Sequence, residues 1–270
     1  MSKKIIFVLV SLIILAAAFF ASYTLSLKYW DKLAPYLNGA APETTSAQNT
    51  TEAATTPTTE AATSSAAAAT ATSALPGAVE VNVVEMPKDD SWSLVLLNRH
   101  NRLEKGYEPR LAAAVEGSTI QVDERVADAF QQMYDAARAD GLELTPVSGY
   151  VSWDLQETLY NKKVEEFTSH GVTEAAARQL AAEVILPAGC SEDNAGLSVS
   201  VGMQLDSFNQ QPTYEWLRAH AAEYGFIERY TAEKKQVTEV AARPWYWRYV
   251  GVEAATQMKE NGLCLEEYVR

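Results

Sequence analysis

The sequence predicts an α+β domain, an antiparallel sheet flanked by helices, placed after an N-terminal membrane span and a long tether. Short apolar runs at strand spacing occur in mixed order, with helical patterns grouped between them rather than in strict alternation. A stretch with almost no side chains able to build a core separates this pattern from the N-terminus. Ahead of that stretch stands one apolar run long enough to cross a bilayer.

The apolar run starts after Lys3 and Lys4, extends from Ile5 to Ala21 with only Ser11 interrupting it, and continues to Leu27. As a helix it spans about 34 Å at the usual rise per residue, enough for the hydrocarbon core. A cleaved leader is shorter and ends in small residues, whereas cleavage after Ala21 places Phe19 where a small side chain is needed. The expectation is an uncleaved signal anchor. Residues 1–4 form a cytoplasmic tip, 5–27 the span and 28–85 an Ala/Thr/Ser-rich extracellular linker, by the positive-inside rule. The chain is thus expected at the cell membrane, single-pass, with its C-terminal domain extracellular. From Gly39 to Val79, 34 of 41 residues are Ala, Thr, Ser, Pro or Gly, with no aromatic residue and no Lys or Arg. Such a composition buries too little apolar area to offset its ordering entropy and reads as a disordered stalk.

Charge and cysteine content narrow the function classes. The chain has 270 residues, 22 Lys+Arg against 35 Asp+Glu and a formal net charge of -13. That balance excludes nucleic acid as a partner bound through its phosphates. Two cysteines and three histidines, at no zinc-finger spacing, exclude a disulfide scaffold and a structural zinc module.

Residues 86–270 form one domain, read element by element as follows. Leu94 to Leu97 suits a buried strand. Asp123 caps a helix through Arg138, with Val126, Phe130, Met133, Tyr134 and Ala137 at helical spacing and Gly141 beyond its end. Leu142 to Val147 reads as a strand, and Ser148-Gly149-Tyr150 as the turn leaving it. A helix follows across Leu155, Leu159 and Phe167, then another from Thr173 to Glu183. Pro187-Ala188-Gly189 opens a loop, and Leu197 to Leu205 alternates as a strand. Pro212 and Gly225 bracket a helix carrying Trp216 and Leu217. Phe226 to Tyr230 and Trp245 to Val250 are the last strands, before a short helix ending near Gly262. In the second of these, Trp245, Trp247 and Tyr249 share one face and read as core, while Tyr246 faces the other way.

These residues resemble the D-alanyl-D-alanine carboxypeptidases of the VanY and LD-carboxypeptidase B kind, zinc peptidases that trim peptidoglycan stem peptides. The resemblance spans Trp92 to Val269. It rests on Leu94-Val95-Leu96-Leu97-Asn98, Ser148-Gly149-Tyr150 with Ser152 and Gln156, Pro187 to Ser191-Glu192 and Gly196-Leu197, and Tyr224-Gly225-Phe226-Ile227 with Arg229-Tyr230. Pro244-Trp245, Arg248-Tyr249-Val250-Gly251 and Leu265-Glu266-Glu267-Tyr268 complete it. It implies the D,D-peptidase, or Hedgehog-like, fold. It also implies a cleft drawn from Ser148, Tyr150, Val151, Ser152, Gln156, Ser191, Asp193, Arg243, Trp245 and Tyr246.

The chemistry of that family departs at every position that carries it. The family's first zinc ligand, a His two residues after the Ser of an S-E-H-x-x-G-L-A-x-D pattern, is Asp193 here, and its second, an Asp, is Ser200. The catalytic Glu and third ligand, from an E-P-W-H run, are Arg243 and Tyr246. The Arg that follows Ser-Gly-Tyr and grips the substrate carboxylate is Val151. A catalytic zinc wants three N, S or O ligands and an open position, and only Asp193 remains a good one. No zinc is therefore expected, and without it amide hydrolysis lacks both its nucleophile and its base.

Asp193 and Arg243 either form a charge-assisted pair in the vacated site or point separately to solvent. His100, His170 and His220 read as surface, loop or capping residues. A Cys190–Cys264 disulfide is permitted outside the cell and contributes about 2–4 kcal/mol if formed. Three functions stay open at this stage. The first is a membrane-anchored, non-catalytic wall protein binding a stem peptide or a cell-wall protein. The second is an active zinc carboxypeptidase using Asp193 with Glu192 or Asp206. The third is a purely structural or interaction domain.

Overall fold

The computed structural model describes residues 81–270. The expected cytoplasmic tip, membrane span at 5–27 and stalk lie outside the described residues. Among the described residues no helix is long and apolar enough to cross a membrane.

Two small ribbons open the domain. Strands β1 (Asn82–Val84) and β2 (Asn101–Leu103) pair in parallel, and β3 (Leu111–Ala113) and β4 (Gln121–Asp123) pair antiparallel. Helix α1 (Glu124–Ala139) follows directly, because the Asp123 carboxylate accepts from the Arg125 N–H and satisfies one of the free donors of the first turn. Then come β5 (Pro146–Ser148), α2 (Trp153–Ser169), α3 (Glu174–Val184), β6 (Ser198–Val201), α4 (Pro212–His220) and β7 (Phe226–Glu228). The short α5 (Lys235–Thr238), β8 (Tyr246–Tyr249), α6 (Val252–Asn261) and α7 (Leu265–Tyr268) complete the chain. The main sheet has the order β5-β6-β8-β7, antiparallel throughout.

The two faces of this sheet differ in kind. Val199, Val201, Trp247 and Phe226 belong to one apolar cluster with Val126, Phe130, Met133 and Ala137 of α1 and Leu217 of α4. Phe130 meets Phe226 edge-on at 5.8 Å between ring centroids, and burying one such ring contributes about 2 kcal/mol. Because strand side chains alternate, Ser198 and Ser200 on β6 and Tyr246 and Arg248 on β8 fall on the opposite face, where they too are buried. A polar face that is nonetheless buried must satisfy its groups internally, and that face holds the site.

Several expectations are corrected. Leu94 to Leu97 is not a strand: a 3-10 turn, Asp90–Leu94, leads into irregular chain. The carbonyls of Ser93 and Val95 are taken by the buried Arg248 guanidinium, at 2.8 and 3.1 Å, instead of by a neighbouring strand. Strand β5 is restricted to Pro146–Ser148, and the register slips there, where proline supplies no N–H. The inward stripe of α2 is Gln156, Tyr160, Val164 and Phe167, so Leu155 and Leu159 are exposed. Strand β6 ends at Val201, since Gly202 turns the chain and its N–H donates to Thr145. Finally, β1 lies within the expected linker 28–85, and its pairing with β2 brings ordered structure ahead of residue 86.

Candidate functional site

The site is built on the loop that enters β6. Ser191 caps a 3-10 turn, Glu192–Ala195, its hydroxyl accepting from the Asp193 N–H at 3.3 Å. The turn closes at Gly196 in the left-handed region, φ 66°, where a side chain would come within 2.6 Å of the Asp123 nitrogen. Only glycine tolerates both that conformation and that approach. The turn sends its two acids to different partners, Glu192 into the protein and Asp193 toward the polar face of the sheet.

The Glu192 carboxylate accepts from Arg229 Nε at 2.7 Å, and the same guanidinium is bidentate to Glu266 at 2.9 and 2.7 Å. All three residues are buried. Burial works to raise the Glu266 carboxyl, yet the Arg229 charge and hydrogen bonds override it and leave it below its ordinary value.

Among the described residues, the Asp193 carboxyl is bonded by hydroxyls. Its Oδ1 is 2.5 Å from Ser198 Oγ and 2.7 Å from Tyr246 Oη, and the two hydroxyls are 2.9 Å apart. With Asp193 ionised, both hydroxyl protons are drawn to Oδ1 and the third contact has none. With Asp193 protonated, three O–H groups close a ring, each donating once. Burial accordingly holds the carboxyl above its ordinary value, although the two hydroxyls and the nearby Arg243 charge pull the other way. The residue keeps partial exposure, which moderates the effect of burial. Burial, reinforced by the Asp193 charge, holds the Tyr246 phenol well above its ordinary value, so it stays protonated.

Arg243, which the resemblance sets at the position of a catalytic Glu, is partly exposed. Its Nη2 donates to the Val184 carbonyl at 2.6 Å, and its guanidinium carbon lies 5.1 Å from the Tyr230 ring centroid and 5.8 Å from that of Tyr246. Among the described residues no hydrogen bond or ion pair joins it to Asp193. Neither expected arrangement holds: Asp193 is engaged by hydroxyls, and Arg243 by a carbonyl and two rings.

The remaining predicted residues divide between site and scaffold. Ser200 sits on β6 opposite Tyr246, and Ser148 on β5 opposite Ser200. Val151 is tied to the site loop through its N–H to the Asp193 carbonyl, 3.1 Å, and its carbonyl to Asn194 Nδ2, 2.8 Å. Tyr150 is half-buried beside it; burial and then the Glu108 charge hold its phenol above the ordinary value. Tyr246 was expected to line a cleft, but it is buried, because its hydroxyl is drawn into the Asp193 network. Trp245 packs partly buried against the core. Gln156 and Ser152 do not serve a cleft: Gln156 is buried with Nε2 on the Leu186 carbonyl at 2.7 Å, and Ser152 caps α2.

The disulfide is corrected as well, since Cys190 and Cys264 are both free and buried. Cys190 packs with Leu186, Tyr230, Val240 and Tyr246, whereas Cys264 caps α7, its N–H donating to Glu267. Burial pushes each thiol up to about 11. The imidazoles are engaged elsewhere, His100 with Glu239, His170 with the Glu166 carbonyl and His220 with Glu223. Ser198 and the Arg229 ion cluster are the residues that sequence reasoning missed. For Ser198 the signal was present, because the resembled pattern carries Ala there.

A cavity of about 510 Å³ opens elsewhere on the domain, lined by residues that include Glu85, Lys88, Tyr107, Glu108, Arg110 and Arg125, and none of the predicted cleft residues lines it.

Residues 119–252 match the family model VanY: D-alanyl-D-alanine carboxypeptidase. A D-alanyl-D-alanine carboxypeptidase of Enterococcus faecalis is 36% identical over 185 residues, 68% of either chain. Among solved structures, a vancomycin-resistance D,D-pentapeptidase VanY in complex with Zn(II) is 36% identical with a TM-score of 0.58, over 66% of this chain and 99% of that one. VanYB in complex with D-alanine-D-alanine is 37% identical with the same score, over 66% and 97%.

Proposed function

Because this chain belongs to the VanY family of D-alanyl-D-alanine carboxypeptidases, we propose that it is a non-catalytic member, held at the membrane and acting at the cell wall by binding a peptidoglycan stem peptide. The observation that carries the loss of catalysis is the Asp193–Ser198–Tyr246 hydrogen-bond ring. By the resemblance, Asp193 and Tyr246 stand at the family's first and third ligand positions and Ser198 at an alanine. Here two hydroxyls and one carboxyl satisfy each other, and the phenol is held in its protonated, non-ligating form.

The donor set does not fit zinc. Among the described residues no group of three or more His, Cys, Asp or Glu side chains stands close enough to hold a metal ion. Ser200 is a neutral hydroxyl, and Arg243 places a positive charge beside the site. The alternative set of Asp193 with Glu192 or Asp206 is disfavoured, since the Glu192 carboxylate is engaged by Arg229. No step of hydrolysis is assigned to these residues. What they do is hold the loop 191–196 against β6 and β8, with burial keeping the Asp193 carboxyl above its ordinary value and Arg243 left partly exposed.

The membrane location rests on the apolar run 5–27 and its preceding lysines. Wall substrate chemistry is carried over from the family alone.

The test is zinc stoichiometry by elemental analysis of the full chain, loaded with excess zinc and desalted, run beside an assay for D-alanine release from a D-alanyl-D-alanine peptide. Zinc near zero with no release is expected. A value near one per chain together with release would overturn the reading.

A further inference from the structure

The cavity of about 510 Å³ described above has a size that holds a small molecule. Three segments wall it: the chain just after β1, the connection between β2 and β3, and the passage from β4 into α1.

The two arginines on its wall are already engaged. Arg125 donates from Nε and Nη2 to the Asp123 carboxylate at 2.8 and 2.7 Å, and its guanidinium carbon lies 3.9 Å from the Trp92 ring centroid. Arg110 meets Glu124 at 2.6 Å. Each pair is neutral in sum, so the two pairs shape the wall without adding net charge. What remains is Glu85, Glu104 and Glu108 against Lys88, a surplus of negative charge, and among the described residues no ion pair is recorded for any of them. The same wall carries Met86, Pro87, Pro109 and the Tyr107 ring, each half-buried.

We infer that this cavity is a binding site for an aliphatic diamine or polyamine. The inference is independent of the binding reading above and of the fate of the metal ligands.

The shape, the sign and the spacing of the charges carry it together. A concave wall with an excess of one sign focuses the field and concentrates the opposite charge inside it. An anion is disfavoured, because the guanidinium groups of the wall already serve carboxylates. A metal ion does not fit either: among the described residues no three acidic, His or Cys side chains stand close enough together to hold one. Carboxylates that share a cavity without converging suit ammonium groups that are themselves set apart along a chain. The methylenes between those groups find Met86, Pro87 and Pro109, and an ammonium is attracted to the face of the Tyr107 ring.

The experiment is calorimetric titration of the full chain with spermidine in about 0.15 M salt, beside uncharged hexanediol and magnesium chloride. Saturable binding of one spermidine per chain is expected, without heat from hexanediol and without displacement by magnesium at equal ionic strength. The double variant Glu104→Gln, Glu108→Gln is expected to weaken spermidine at least about tenfold. The double variant Glu253→Gln, Glu260→Gln, which removes two exposed acids of α6 outside the cavity, is expected to leave it unchanged. Uptake that does not saturate, displacement by magnesium, or equal losses in the two double variants would reveal only a diffuse counter-ion atmosphere and overturns the site. Should the cavity variant fail to fold, saturation and magnesium competition on the natural chain decide.

Discussion

Glu192 and Asp193 are neighbours in sequence, and their surroundings could hardly differ more. Glu192 is completely buried against Arg229, whose guanidinium also meets Glu266, all at 2.7–2.9 Å, and holds the Glu266 carboxyl below its ordinary value. Asp193 is less buried, yet it is the one pushed toward neutrality, because its recorded side-chain partners are hydroxyls. What decides the state of a carboxyl is the charge of its partner more than its depth. The ion cluster belongs to the scaffold and links the site loop, β7 and α7. The hydroxyl ring joins the same loop to β6 and β8, so one loop is held by ions on one side and by hydroxyls on the other.

The comparison can be broken at three points, taken in descending order of expected effect. Arg229→Ala removes the guanidinium and leaves two buried carboxylates without their shared cation. A loss of about 3–5 kcal/mol is expected from urea unfolding, as for other broken buried pairs. A loss below about 1 kcal/mol would mean that the cluster does not hold the loop in place.

The second point is Glu228, a carboxyl on the core face whose recorded bonds, like those of Asp193, come from a hydroxyl. Tyr214 donates to it at 3.0–3.2 Å, and burial pushes it from an ordinary 4.5 up to about 7. A raised value means that the folded state holds its proton more tightly than the unfolded chain. The stability so contributed is full below about pH 4.5 and is lost as the pH rises through about 7, by roughly 2–3 kcal/mol. Glu228→Gln is expected to flatten that part of the stability-pH curve; an unaltered slope would show that the group titrates normally.

The smallest effect is expected from Tyr246→Phe, which takes one hydroxyl from the ring and leaves Asp193 with Ser198. The expected loss is about 1–2 kcal/mol at neutral pH, read from the shift in urea midpoint. A loss as large as that of Arg229→Ala would make the ring as important to the fold as the ion cluster.

Much of the fold was legible in the sequence because local chemistry dictates it. Asp123 caps α1, Pro212 begins α4 and Gly262 ends α6, each in the place that its conformational preference indicates. The alternation of Trp247 with Tyr246 assigned them to opposite faces before any partner was known. Leu94 to Leu97 was misread because an apolar run looks the same whether its carbonyls serve a strand or a buried arginine. Leu155 and Leu159 were misread because helical spacing fits two stripes that differ by one residue, and packing chooses between them. In the site, the residue types Asp193, Ser200, Arg243, Tyr246 and Val151 could be read from the sequence in order. Their new arrangement was not: a charged Asp193–Arg243 pair and a Cys190–Cys264 bridge are each reasonable on paper and absent from the structure.

By itself, then, the sequence determined the elements, the two faces of the sheet and which side chains are available to the site, since these depend on periodicity and residue type. Only the tertiary structure decided which acid met a guanidinium and which met hydroxyls, and that Ser198 would complete the ring. Those outcomes turn on contacts of 2.5–2.9 Å between residues up to 53 positions apart, where a shift of about one ångström changes the partner.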